Sequence, residues 1–231
     1  MPTECLWVAM LWLGALATPD PARLQQALAL EKTDEAAGLA ALDALVIAYP
    51  DWILSRLEDA RLRLKRGEGL DLAEANLEAA RSFNPENARG HFLWGMLMEE
   101  RHNRPAAINA YEVALTLRPD YDEARFRIAG LQWAQNDFKA AFDSYRLYAK
   151  AHPEAVGARL QLALAAERSG ALKEAEKELR KLFDAPASRG LAGRKLAEFY
   201  DRTGRAAQAA RIRSTIEPPN RKLRELQRSG R

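Results

Sequence analysis

The chain has 231 residues, 48% of them hydrophobic and 29% charged, an ordinary globular composition that excludes a disordered or collagen-like chain. A single cysteine, Cys5, excludes an intramolecular disulfide scaffold and a cysteine-based zinc cage. The formal net charge of +3 is too small to argue for nucleic acid on its own.

The first element in chain order is an uncharged run over residues 5–18, CLWVAMLWLGALAT, between Glu4 and Asp20. At 1.5 Å per residue, about 15 residues reach roughly 22 Å, short of a ~30 Å hydrocarbon core, so a full membrane span is marginal. Three readings stand side by side. Ala15-Leu16-Ala17 suits the cleavage site of a signal peptide or the end of a signal anchor, although Met1 to Glu4 bring no Lys or Arg. A retained segment would insert in a membrane or lie on it, with Trp7 and Trp12 near the headgroups. The third reading is a helix that packs on the structure following it.

From residue 19 the sequence repeats itself. Prolines recur at Pro50, Pro85, Pro119, Pro153, Pro186 and Pro218 or Pro219, at intervals of about 34 residues. Twelve residues before the first four stand the small residues Gly38, Ala73, Ala107 and Ala141, and eight before stand the bulky Leu42, Leu77, Tyr111 and Tyr145. These offsets make one helical stripe, closed by a proline that cannot continue the helix. A second stripe precedes it in each later copy: His91, Trp94, Gly95, Met98; Arg125, Ile128, Ala129, Gln132; Arg159, Leu162, Ala163, Ala166; Gly193, Leu196, Ala197, Tyr200. Breakers separate the two stripes, among them Gly67 with Gly69, Asn103 before Pro105, Asn136-Asp137, Ser169-Gly170 and Thr203-Gly204. Six two-helix repeats are therefore predicted over residues 19–219, with the leading helix of the first degenerate.

This pattern resembles the tetratricopeptide repeat family, W-x2-L-G-x2-Y, then A-x3-F, then P, most closely in the third repeat with Trp94-Gly95, Ala107, Tyr111, Ala114 and Pro119. His91 stands in place of the family's tryptophan, and Arg61 where a small residue is usual. The resemblance implies an all-α, right-handed α-solenoid of about six helix-turn-helix repeats, with a concave face lined by the leading helices. It implies a partner groove through Phe92, Met96, Phe126, Trp133, Leu160 and Leu164, unless these side chains turn into the core. The Lys and Asn clamp with which some members hold acidic peptide ends is missing at these positions. An apolar groove suits an amphipathic helix or hydrophobic segment of a partner protein.

Charge gathers at the end of the chain, where residues 186–231 carry a net charge of about +8. A basic patch of Arg194, Lys195 and Arg202 leads into the basic tail, residues 220–231. A solvated cap on a terminal repeat accounts for it most simply; docking to an acidic partner or anionic lipid is the second reading. Nucleic acid is disfavoured, because no aromatic residues alternate with these cations as stacking platforms.

Catalytic signatures do not appear in the sequence. His91, His102 and His152 lack metal-ligand spacing, and neither a phosphate-cradling glycine loop nor a nucleophile motif is present. The expectation is a scaffold or adaptor with no enzymatic activity, cofactor or metal, membrane-associated or periplasmic, acting in assembly of an envelope complex. The alternative is a constitutive structural subunit of a larger membrane complex.

Overall fold

The computed structural model describes residues 18–216. Among these run twelve α-helices and no strand: α1 (Pro21–Thr33), α2 (Glu35–Ala48), α3 (Ile53–Arg66), α4 (Leu70–Phe83), α5 (Ala88–Glu100), α6 (Arg104–Leu117), α7 (Asp122–Ala134), α8 (Phe138–Ala151), α9 (Val156–Arg168), α10 (Leu172–Asp184), α11 (Arg189–Arg202) and α12 (Ala206–Ile216). They pair in order as six helical hairpins, and each of the five trailing helices from α2 to α10 stops two residues before Pro50, Pro85, Pro119, Pro153 or Pro186. The early proline of the fifth repeat leaves α10 with 13 residues, against 14 in α4, α6 and α8. The leading helix of the first repeat, degenerate in sequence, is a regular helix of 13 residues. Trp7, Trp12, Pro218, Pro219 and the basic tail lie outside the described residues.

The turns inside the hairpins repeat as strictly as the prolines. His102, Asn136, Gly170 and Gly204, spaced 34 apart, have φ of 57°, 62°, 87° and 75°, the left-handed conformation that reverses the chain after a helix. Gly67 and Gly69, with φ of 66° and 63°, do the same work between α3 and α4. Side-chain caps then start the next helix: Asp34 accepts from the backbone N–H of Ala36 and Ala37, both at 3.0 Å, and Asp137 accepts from that of Ala140 at 3.0 Å.

The hairpins group into two compact units of three, α1 to α6 ending at Asp120 and α7 to α12 starting at Tyr121. In the first unit, Leu24, Ala27, Leu42, Leu45 and Leu62 form one buried cluster. A Cβ on Gly38 would come within 2.7 Å of the Glu31 backbone, so only glycine lets α2 approach α1 this closely. In the second unit, Ala129, Ala141, Tyr145, Ala149, Leu162 and Ala165 form one cluster, and Ala163, Ala175, Leu179, Leu196, Phe199 and Tyr200 belong to another. Each buried leucine contributes about 1.5–3 kcal/mol of apolar transfer energy, which one hairpin alone could not collect.

Candidate partner-binding faces

The six residues expected in a groove lie on leading helices and are all half-buried, neither lost in the core nor fully exposed. In the first unit, α5 carries Phe92 and Met96, and the Phe92 ring leans on buried Tyr111 with centroids 5.5 Å apart. In the second unit, α7 carries Phe126 and Trp133, and α9 carries Leu160 and Leu164. Phe126 sits between Tyr145 and Tyr148 of α8, at 5.5 and 4.9 Å. Trp133 meets Phe138 edge-on at 5.0 Å, while the Arg168 guanidinium from α9 lies 4.3 Å from the Phe138 centroid and 5.9 Å from that of Trp133. These aromatic rings therefore hold a hairpin together with one edge and face solvent with another, which fixes their orientation before any partner arrives.

Basic residues at the end of the second unit are less available than their number suggests. Arg202 makes a two-pronged pair with Glu167 at 2.6 and 2.9 Å, and Lys195 reaches Glu198 at 3.0 Å. Arg194 is exposed and lines an open cleft of about 270 Å³ with Ala197, Glu198, Arg213 and Ile216. Arg213 in turn pairs with Asp201. The acidic partners come from α9 and α11, so most of the local charge is compensated within the unit.

The first unit holds a buried polar network for which the sequence pattern gave little warning. Asp59 is fully buried in α3, where one carboxylate oxygen accepts from Arg63 at 2.8 Å and from the Asn76 amide at 2.5 Å. Arg63 also pairs with Asp43 of α2, and Arg56 donates to Asn76 of α4 at 2.7 Å. The network thus ties α2, α3 and α4 together, and burial pushes the Asp59 carboxyl above the usual aspartate range. Arg61, the departure from a small residue noted above, reaches back to Glu31 of α1 and to Glu58 at 2.7 Å. Its hydrogen bonds hold the Glu31 carboxyl below the usual glutamate range. Arg61 marked the place, but the carboxylates it meets lie 30 residues upstream or one turn away, and charge on a helix face reads as solvated.

The described residues contain no cluster of three or more potential metal ligands, and no helix long and apolar enough to cross a membrane. His91 bonds the Pro85 carbonyl oxygen at 2.8 Å and His152 bonds Asp122 at 3.0 Å, so both serve local structure.

No family model and no curated protein matches the sequence. Solved structures do match. PilW, described as a widely conserved type IV pilus biogenesis factor, aligns with a TM-score of 0.66 at 19% identity over 90% of this chain and 97% of its own. A tetratricopeptide repeat protein from Parabacteroides merdae aligns at 0.65 and 18% over 85% of this chain and 78% of its own. YrrB, a TPR protein with an unusual peptide-binding site, aligns at 0.66 and 14% over 81% of this chain and 98% of its own. At these identities the likeness is one of architecture. Six helical hairpins, five of them closed by a proline and each with a small buried residue on its trailing helix, and these structural matches, give the chain the α-solenoid fold of the tetratricopeptide repeat proteins.

Proposed function

We propose that this chain is a non-enzymatic scaffold that binds protein partners through the apolar faces of its leading helices. One observation carries the reading: Phe126, Trp133, Leu160 and Leu164 stand half-buried along α7 and α9, where rings locked by their own hairpins keep an apolar surface in solvent. Rigid, partly exposed aromatic residues are the usual anchors of protein interfaces, because little side-chain freedom is lost on binding. The amphipathic or hydrophobic segment of a partner is the occupant that fits. YrrB, whose peptide-binding site is named in its description, shows that the fold is compatible with such a role.

The finer reading places this scaffold at the cell envelope, membrane-associated or exported, in assembly of a multiprotein complex. Support comes from the apolar run of residues 5–18 and from the likeness to PilW. Affinity capture with the Phe126→Ala, Trp133→Ala double variant tests the interaction surface. Partners are expected to be lost while far-ultraviolet circular dichroism keeps its helical signal. Unchanged capture would refute the apolar face as the binding surface.

A further inference from the structure

A glycine stands inside α7 where packing does not require one. Gly38, Gly95 and Gly193 each sit where a Cβ would come within 2.5–2.7 Å of a neighbouring helix. At Gly130 a Cβ would meet Tyr145 Oη at 3.8 Å, an ordinary contact, and no closer atom of a neighbouring helix. Alanine would fit there, and glycine in a helix interior costs backbone entropy that alanine does not. Phe126 lies one turn before Gly130 and Trp133 one turn after, so the bare backbone is a notch between two half-buried rings. The same position one repeat on carries Leu164.

The hydroxyl that borders the notch is an unused donor. Tyr145 is 4% exposed, and among the described residues no group hydrogen-bonds its Oη. Other tyrosines in the chain are satisfied: Tyr111, 34 residues earlier, donates to Glu99, and Tyr200 donates to Glu176 at 2.8 Å. Moving on from Glu99 by the same 34 residues gives Trp133, which offers no acceptor, so the fourth repeat keeps the phenol and drops its partner. A buried hydroxyl without a partner is destabilising, and a ligand that brings an acceptor offsets this. Burial also pushes the Tyr145 phenol above the usual range, which keeps the group a donor at neutral pH.

We infer that Gly130 and Tyr145 form a hydrogen-bonding subsite for an extended segment of a partner protein, whose main-chain carbonyl accepts from Tyr145 Oη while a small residue passes over Gly130. The inference rests on the reading of α7 and α9 as the binding face, and deepens it by naming the chemistry of the occupant. A notch without a side chain admits a main chain closely. An extended segment brings free carbonyls, whereas those inside a helix are already bonded. Between Phe126 and Trp133 a neutral carbonyl is also desolvated more easily than a carboxylate.

Random dodecapeptides displayed on phage are selected on the full-length protein, and those that lose binding to the Phe126→Ala, Trp133→Ala variant are synthesised. Their Kd is measured for the native chain, Tyr145→Phe and Gly130→Ala, together with the unfolding midpoint of each. Tyr145→Phe is expected to weaken binding about three- to tenfold, as for the loss of one neutral hydrogen bond. Gly130→Ala is expected to weaken binding severalfold while raising the unfolding midpoint, opposite signs that a purely structural glycine does not give. Replacing peptide amides one at a time with esters weakens each carbonyl as an acceptor. One such replacement should weaken binding to the native chain and not to Tyr145→Phe. Peptides that depend on Phe126 and Trp133 but bind Tyr145→Phe and Gly130→Ala as tightly overturn the subsite and leave the apolar face standing. Peptides that turn helical on binding, with the Tyr145 effect traced to a side-chain amide, overturn the extended occupant. A selection that yields no peptide dependent on Phe126 and Trp133 overturns face and subsite together.

Discussion

Single atoms decide how closely the helices of a hairpin approach. A Cβ on Gly95 would stand 2.5 Å from the Tyr111 ring, which is itself fully buried. The backbone of α5 and the ring of α6 therefore share space that only glycine leaves free. Gly95→Ala should cost about 1–3 kcal/mol by overpacking, read as a lower midpoint in thermal or urea unfolding. His102 presents the opposite case, a side chain where glycine would be easier. Its φ of 57° is strained for an L-residue by about 1–2 kcal/mol, and glycine gives back about 0.5–1 kcal/mol of that in chain entropy. His102→Gly is accordingly expected to raise the unfolding midpoint slightly, and a lowered midpoint would mean that the His102 side chain does more than turn the chain. The sequence showed the glycine slot through its spacing in the stripe. The sequence also places His102 at an interhelix turn, but not its left-handed backbone, which a histidine does not announce as Gly170 and Gly204 do.

At the scale of helices, two polar networks knit neighbouring hairpins in each unit. In the first unit, Arg63 is 6% exposed and compensates fully buried Asp59. Arg63→Met would strand that carboxylate, at a cost of about 3–5 kcal/mol at neutral pH. Urea unfolding measures it, and the loss should shrink in acid, where Asp59 takes up a proton. In the second unit, Glu176 of α10 accepts from Arg205 at 2.9 Å, Tyr200 at 2.8 Å and Arg180 at 3.0 Å. These donors, Arg205 foremost, lower its carboxyl from 4.5 to about 2. A depressed carboxyl stabilises the fold above its unfolded value and stops doing so as pH falls through its folded value. The difference in melting temperature between the native chain and Glu176→Gln should thus be full above the ordinary glutamate range and close as pH drops toward 2. A difference that stays constant over that interval would show that Glu176 acts by packing alone. Helix positions were readable because proline and left-handed turns punctuate the chain locally. The networks were not, since Glu176 and Arg205 or Glu167 and Arg202 are paired only after three helices have been stacked.

At the scale of the whole chain, repetition determines the fold and leaves function to the few positions where copies differ. The leading helices carry Phe92 and Met96 in one unit and Phe126, Trp133, Leu160 and Leu164 in the other. The family resemblance implies a groove-lining place for all six on their leading helices, yet could not tell that the rings also brace their own hairpins. The excess charge of residues 186–231 reads most simply as a solvated cap, and within the described residues Arg202 pairs with Glu167 and Lys195 with Glu198. Architecture of this kind serves many processes, so the claim to test is where partners touch. A photoreactive amino acid at position 164 on α9, against one at position 147 on α8, puts that directly in cells. Leu147 is 52% exposed and apolar, an equal opportunity for chance contact. Protein adducts at position 164 and not at position 147 are the expected result. Adducts at 147 alone, or equally at both, would contradict binding through the leading helices.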